Sequence, residues 1–129
     1  MLDMKDFEGV AAIMIFSKNI IKSTKWYSKL IKTKPIFLDK EKSMIKIGKI
    51  KLVFHLPDKK SPVSTGGQVC YWKVNNFDNF IKRAIKLGAK IHRGPIEVEN
   101  SNYKICQLKD PFGSVFGIEG KLFNNHIKS

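Results

Sequence analysis

Arginine is almost missing from this chain: of its 24 basic residues only Arg83 and Arg93 are arginine, and the other 22 are lysine. Base and phosphate recognition favours the planar guanidinium fork, so the net charge of +13 argues against a nucleic-acid partner despite its size. The lysines are also dispersed rather than massed in one tract, and abundant isoleucine and asparagine accompany them, as an AT-rich coding bias would produce. What the charge does favour is attraction of anionic small molecules into a positive cleft. Cysteine is scarce too. Cys70 and Cys106 lie far apart without metal-type spacing, which reads as two free thiols in strands of a cytoplasmic protein. No long hydrophobic run exists: the longest, Gly9 to Phe16, is too short to span a bilayer. Asp3, Asp6 and Glu8 precede it, where a secretory signal would be positive.

What is present is a chain of 129 residues, 43% hydrophobic, enough for one domain with a buried core. Val10 to Phe16 reads as a strand, and Asn19 as a helix cap. Ile20, Ile21, Thr24, Tyr27, Leu30 and Ile31 then recur at helical spacing, with Pro35 as the stop. Strands are expected at Pro35–Asp39, Ser43–Gly48 and Ile50–Leu56. Pro57 to Gly67 is polar and rich in proline and glycine, a linker. The same order then returns. Gln68 to Val74 is a strand, and Asn75 or Asn76 caps a second helix carrying Phe77, Phe80, Ile81, Ala84, Ile85 and Leu87, ended by Gly88. Strands follow at Lys90–Val98, interrupted by Gly94-Pro95, then at Tyr103–Leu108 and Ser114–Glu119. Asp110-Pro111-Phe112-Gly113 suits a type I turn. The chain thus predicts an α+β fold of two βαβββ modules, about residues 9–56 and 68–120 joined by the linker 57–67, with a short C-terminal tail. Two four-stranded halves paired in this way make a curved mixed sheet with a concave ligand cleft.

This arrangement resembles the vicinal oxygen chelate superfamily, which includes glyoxalase I, extradiol dioxygenases, fosfomycin-resistance proteins and bleomycin-binding proteins. Three phrases carry the resemblance: Ser23 with Trp26-Tyr27 and Leu30-Ile31 in the first helix, Leu87-Gly88-Ala89 closing the second, and Asp110-Pro111-Phe112-Gly113 before the last strand. It covers about Gly9 to Gly120. It implies the glyoxalase/bleomycin-resistance fold, a homodimer, and a pocket on the concave sheet.

Members that use a metal place ligands on the first, fourth, fifth and eighth strands. The corresponding positions here are Ala12, Lys51, Gln68 or Val69, and Gly117. Only Gln68 has a usable donor, and one neutral amide does not hold a divalent ion. His55 lies further along the fourth strand and Glu119 two residues beyond Gly117 on the same face, and they could form a shifted pair, but the first strand offers no donor to complete it. Alternation puts Lys51 and His55 on the inner face with Glu119. On the fifth strand, two sets remain open: Val69, Tyr71 and Lys73, or Gln68, Cys70 and Trp72. The expected ligand-binding residues are therefore Lys51, His55, Tyr71, Trp72 and Glu119, with no metal and no cofactor. Two readings stand. One is a metal-free binder of a small, partly aromatic or anionic molecule. The alternative is a metal-dependent glyoxalase I-like lyase or dioxygenase with a shifted or incomplete metal site.

Overall fold

Two asparagines open the two helices. In the computed structural model, which describes residues 6–64 and 66–122, the Asn19 side chain accepts a hydrogen bond from the Lys22 amide at 3.0 Å and starts α1 (Ile20–Ile31). Asn76 accepts from the Asn79 amide at 3.3 Å and starts α2 (Phe77–Lys86). Each cap satisfies an amide that the first turn leaves without an intrahelical partner. Pro35 is not what ends α1. Lys32 adopts the left-handed conformation (φ 62°, ψ 42°) and donates its N–H to the Ser28 carbonyl, three residues before the proline. Gly88, with φ 112°, follows the end of α2 as its sequence position suggests.

The strands are β1 (Ala12–Phe16), β2 (Ile36–Asp39), β3 (Lys42–Ile47) and β4 (Ile50–His55), then β5 (Tyr71–Lys73), β6 (Lys90–Glu97), β7 (Tyr103–Lys109) and β8 (Val115–Lys121). The chain divides into two compact units between Pro62 and Val63, inside the expected linker. Each unit holds one helix and one four-stranded mixed sheet, in the orders β1-β4-β3-β2 and β5-β8-β7-β6. In each, the first and last strands pair in parallel and the remaining pairs are antiparallel. Among the described residues no helix is long and apolar enough to cross a membrane.

In the first unit α1 packs on β3 and β4. Ile45, Leu52 and Phe54 are buried beneath Ile20, Trp26, Tyr27 and Leu30, with the Tyr27 and Phe54 rings 5.3 Å apart. The Thr24 and Ser43 hydroxyls, both fully buried, satisfy each other at 2.5 Å. In the second unit α2 covers Cys106, Leu108, Phe116 and Ile118 with Phe77, Ile81 and Ala84. Gly120 permits this approach, because a Cβ there would stand 2.9 Å from the Phe77 Cβ. Lys104 lies over the Phe77 ring and pairs with Asp78 at 3.5 Å. The helical stripes are narrower than the spacing suggests: Ile21 and Ile85 are 57% and 46% exposed.

The turn after β7 is held by one carboxylate. Asp110 Oδ1 accepts from the Phe112 and Ser114 amides at 2.8 and 3.0 Å, and Asp110 itself is buried. Its own amide donates to the Ser114 carbonyl at 2.8 Å. Gly94-Pro95 does not interrupt β6. The strand runs through it as a sheet edge with two register shifts, the place where proline and bulges are tolerated. A side chain at Gly94 would meet the Ile105 carbonyl oxygen at 3.0 Å, so glycine allows the two backbones this close.

Candidate functional site

Strand alternation assigns every residue of each sheet either to the face covered by the helix or to the opposite face. In the first unit Ser43, Ile45, Leu52 and Phe54 are under α1, so the other face carries their neighbours. The register sorts these into cross-strand rows. Ala12 pairs with Lys51 and Lys51 with Lys46. Met14 pairs with Val53 and Val53 with Met44. Phe16 pairs with His55 and His55 with Lys42. An apolar row therefore lies between rows that carry Lys51, Lys46, His55 and Lys42. Within it Val53 is buried, whereas Met14 is 47% exposed.

Lys51 is solvent-exposed and stands directly opposite Lys46. Like charges so placed destabilise a sheet unless an anion lies near them. His55 is half-buried, and its Nδ1 lies 2.9 Å from the Leu56 carbonyl oxygen. A carbonyl only accepts, so Nδ1 carries a proton, and in the neutral ring Nε2 is then the acceptor. The Phe16 ring meets His55 edge-on at 6.5 Å.

In the second unit the register decides between the two fifth-strand sets. Tyr71 pairs with Gly117, Trp72 with Ile118 and Lys73 with Glu119. Tyr71 and Lys73 therefore share the helix-free face with Gly117 and Glu119. Trp72 pairs with fully buried Ile118 and lies on the α2 side, the face opposite to that of Tyr71 and Glu119. The fifth-strand position opposite Gly117 is Tyr71, and not Gln68 or Val69, which precede β5 in irregular chain. Glu119 is half-buried and faces Lys73 on one side and Ile105 on the other.

Gly117 is covered by Tyr71. A Cβ built on Gly117 would lie within 2.7 Å of Tyr71 Cγ and closer still to Cδ2 and Cε2, so the ring passes over the space a side chain would take. Its hydroxyl reaches Gln107 on β7, whose Nε2 donates to Tyr71 Oη at 2.9 Å. Gln107 was not among the residues singled out from the sequence. Its signal was there, as the polar residue between buried Cys106 and Leu108.

These residues do not fit a divalent metal ion. Ala12 and Gly117 have no donor atom, Lys51 brings a cation, and Tyr71 fills the space above Gly117 with a ring. Among the described residues no three His, Cys, Asp or Glu side chains are grouped so as to hold a metal. No catalytic step through a metal follows from this arrangement. The two thiols are free, and burial raises both above the ordinary thiol range. His92 sits at a register shift of the exposed strand β6, and His126 lies outside the described residues.

No protein-family model and no curated protein matches the sequence. Solved structures do match, over nearly the whole chain. A glyoxalase/bleomycin resistance protein/dioxygenase family enzyme from Burkholderia phytofirmans PsJN aligns with a TM-score of 0.76 at 20% identity, covering 87% of this chain and 98% of its own. TnmS3, an antibiotic binding protein from Streptomyces sp. CB03234, gives 0.72 at 14% identity, covering 90% and 98%. The fosfomycin resistance protein FosX from Mesorhizobium loti gives 0.69 at 15% identity, covering 94% and 98%. With two four-stranded mixed sheets, two helices and the βαβββ order repeated, this chain has the vicinal oxygen chelate fold, that of the glyoxalase/bleomycin-resistance/dioxygenase proteins.

Proposed function

We propose that this protein is a vicinal oxygen chelate relative that binds a small, partly aromatic or anionic molecule on its helix-free sheet faces without a metal ion. The observation that carries the reading is Tyr71 lying over Gly117 and tied to Gln107. Where a metal-using member would need a carboxylate, this chain offers an aromatic ring. Lys51 beside Lys46 and half-buried His55 supply positive charge and a hydrogen-bond acceptor on the other sheet. Capture needs no nucleophile or general base, only complementary shape, stacking and charge. TnmS3, which has a similar fold, is an antibiotic binding protein, a precedent for such a task. We take the working form to be a cytoplasmic homodimer of a single two-module domain. Its free thiols and the exposed Ile36, Phe37 and Leu38 on edge strand β2 support that view.

The test is binding of an aromatic anion, 1-anilinonaphthalene-8-sulfonate, followed by its fluorescence. The protein is first stripped with chelator, then dialysed in turn against zinc, nickel, manganese and iron(II). Equal affinity in every sample, with no metal retained, is the expected result. Near-stoichiometric retention of one metal, or binding that appears only with it, overturns the reading in favour of a lyase or dioxygenase.

A further inference from the structure

The register of the second sheet places four residues at one level across all four strands. Tyr71 on β5 pairs with Gly117 on β8, Gly117 with Gln107 on β7, and Gln107 with Arg93 on edge strand β6. All four belong to the helix-free face. We infer that this transverse row, Tyr71–Gly117–Gln107–Arg93, is a recognition site for a planar aromatic carboxylate. The inference rests on the ligand-binding reading above and names the class of ligand this face would take.

Three features of the row support that class. The first is the platform. The Tyr71 ring crosses β8 over Gly117, and the residue keeps 36% of its surface exposed. The side of the ring turned away from Gly117 is therefore open for a flat molecule to stack on. A ring anchored at its hydroxyl loses little further freedom when the ligand arrives, which favours binding.

The second is the donor. Gln107 Nε2 can only donate, so Tyr71 Oη is the acceptor in their hydrogen bond and its own O–H proton remains to be given. By reaching across β8, Tyr71 delivers that donor next to β7, one strand from Arg93. Strands are about 4.8 Å apart, so hydroxyl and guanidinium serve the same end of the row.

The third is charge. Arg93 is one of only two arginines in the chain, and the other, Arg83, lies over the Phe80 ring on α2. A guanidinium stays charged at all ordinary pH values and its fork matches a carboxylate. The bulged register of β6 is what keeps Arg93 level with Gln107. In the adjoining row Glu119 would oppose an anion, but it stands directly across from Lys73. Lys109, paired with Val115, adds a second lysine to this face on the opposite side of the row.

The experiment titrates the full chain with 2-naphthoate, followed by backbone amide NMR. Shift changes are expected to cluster at Tyr71, Arg93, Gln107 and Gly117. Cyclohexanecarboxylate, with the same charge and no π face, should bind about two- to tenfold more weakly if stacking contributes as expected. Tyr71→Phe keeps the ring and removes the O–H, and Arg93→Gln removes the charge. Each should weaken naphthoate by roughly three- to tenfold, the loss of one hydrogen bond or charge-assisted contact. Naphthoate binding that is unchanged in both variants, or shifts centred elsewhere, overturns the row assignment and leaves the metal-independent binding reading intact. A wild-type chain that ignores naphthoate at millimolar concentration also overturns the row assignment, while the broader binding reading is decided separately by the 1-anilinonaphthalene-8-sulfonate titration.

Discussion

Adding one methyl group at Gly117 tests the packing at the centre of the site. Gly117 lies within β8 and is not among the positive-φ glycines, so alanine suits its backbone. On conformational entropy alone, Gly117→Ala would stabilise by about 0.4–1 kcal/mol. The new Cβ, however, would stand within 2.7 Å of Tyr71 Cγ, well inside ordinary carbon contact. Tyr71 must swing away, losing the Gln107 hydrogen bond, about 1 kcal/mol. Its packing over β8 is also disturbed, in the range of about 1–3 kcal/mol for overpacked sites. The net expectation is a loss of roughly 1–3.5 kcal/mol. In a Tyr71→Ala background both penalties vanish and the same substitution should stabilise by about 0.5 kcal/mol. The pair therefore has a coupling energy of about 2–4 kcal/mol in a double-mutant cycle, measured by urea unfolding followed by tryptophan fluorescence. If Gly117→Ala is equally destabilising with and without Tyr71, the ring does not lie where the geometry puts it.

The turn and the thiols give two further tests. Asp110→Ala leaves the Phe112 and Ser114 amides without their acceptor, and should cost about 1–3 kcal/mol in urea unfolding; an unchanged midpoint would show that the turn stands without it. Cys106, fully buried and with its thiol pushed upward by burial, should resist a disulfide reagent at pH 8 until the chain is unfolded. Cys70, half-buried, should react more slowly than a free thiol. Labelling of Cys106 in the native protein at the free-thiol rate would contradict its place beneath α2.

The element order was legible because its signals are local. Asparagine caps, apolar spacing and the Asp110 turn each act within a few residues, and all eight strands and both helices lie close to where periodicity predicts them. Strand ends were less legible where pairing decides them. β5 is only Tyr71–Lys73, although the apolar run begins at Gln68, because ladder bonding to β8 starts where the Gly117 amide meets the Cys70 carbonyl. The face of Trp72 had the same origin. One residue of register moves a whole strand's side chains between faces, and only the pairing with Ile118 fixes it. Gln107 and Arg93 join the site through cross-strand pairing over a bulge, information that no single segment contains.

The parallel pairs at the two ends of the repeat share one further property. Each sets a minimal side chain opposite a long one, Ala12 against Lys51 and Gly117 against Tyr71, with the order reversed between the units. Such a pair resists stepwise change. A carboxylate acquired at 117 meets the tyrosine ring before it can serve any purpose, and a smaller residue acquired at 71 gives up the Gln107 anchor and uncovers the glycine. A change at either member of the pair is therefore disfavoured while the other keeps its present side chain. Tyr71 over Gly117 makes the two positions interdependent, so that what either can become is set by the other.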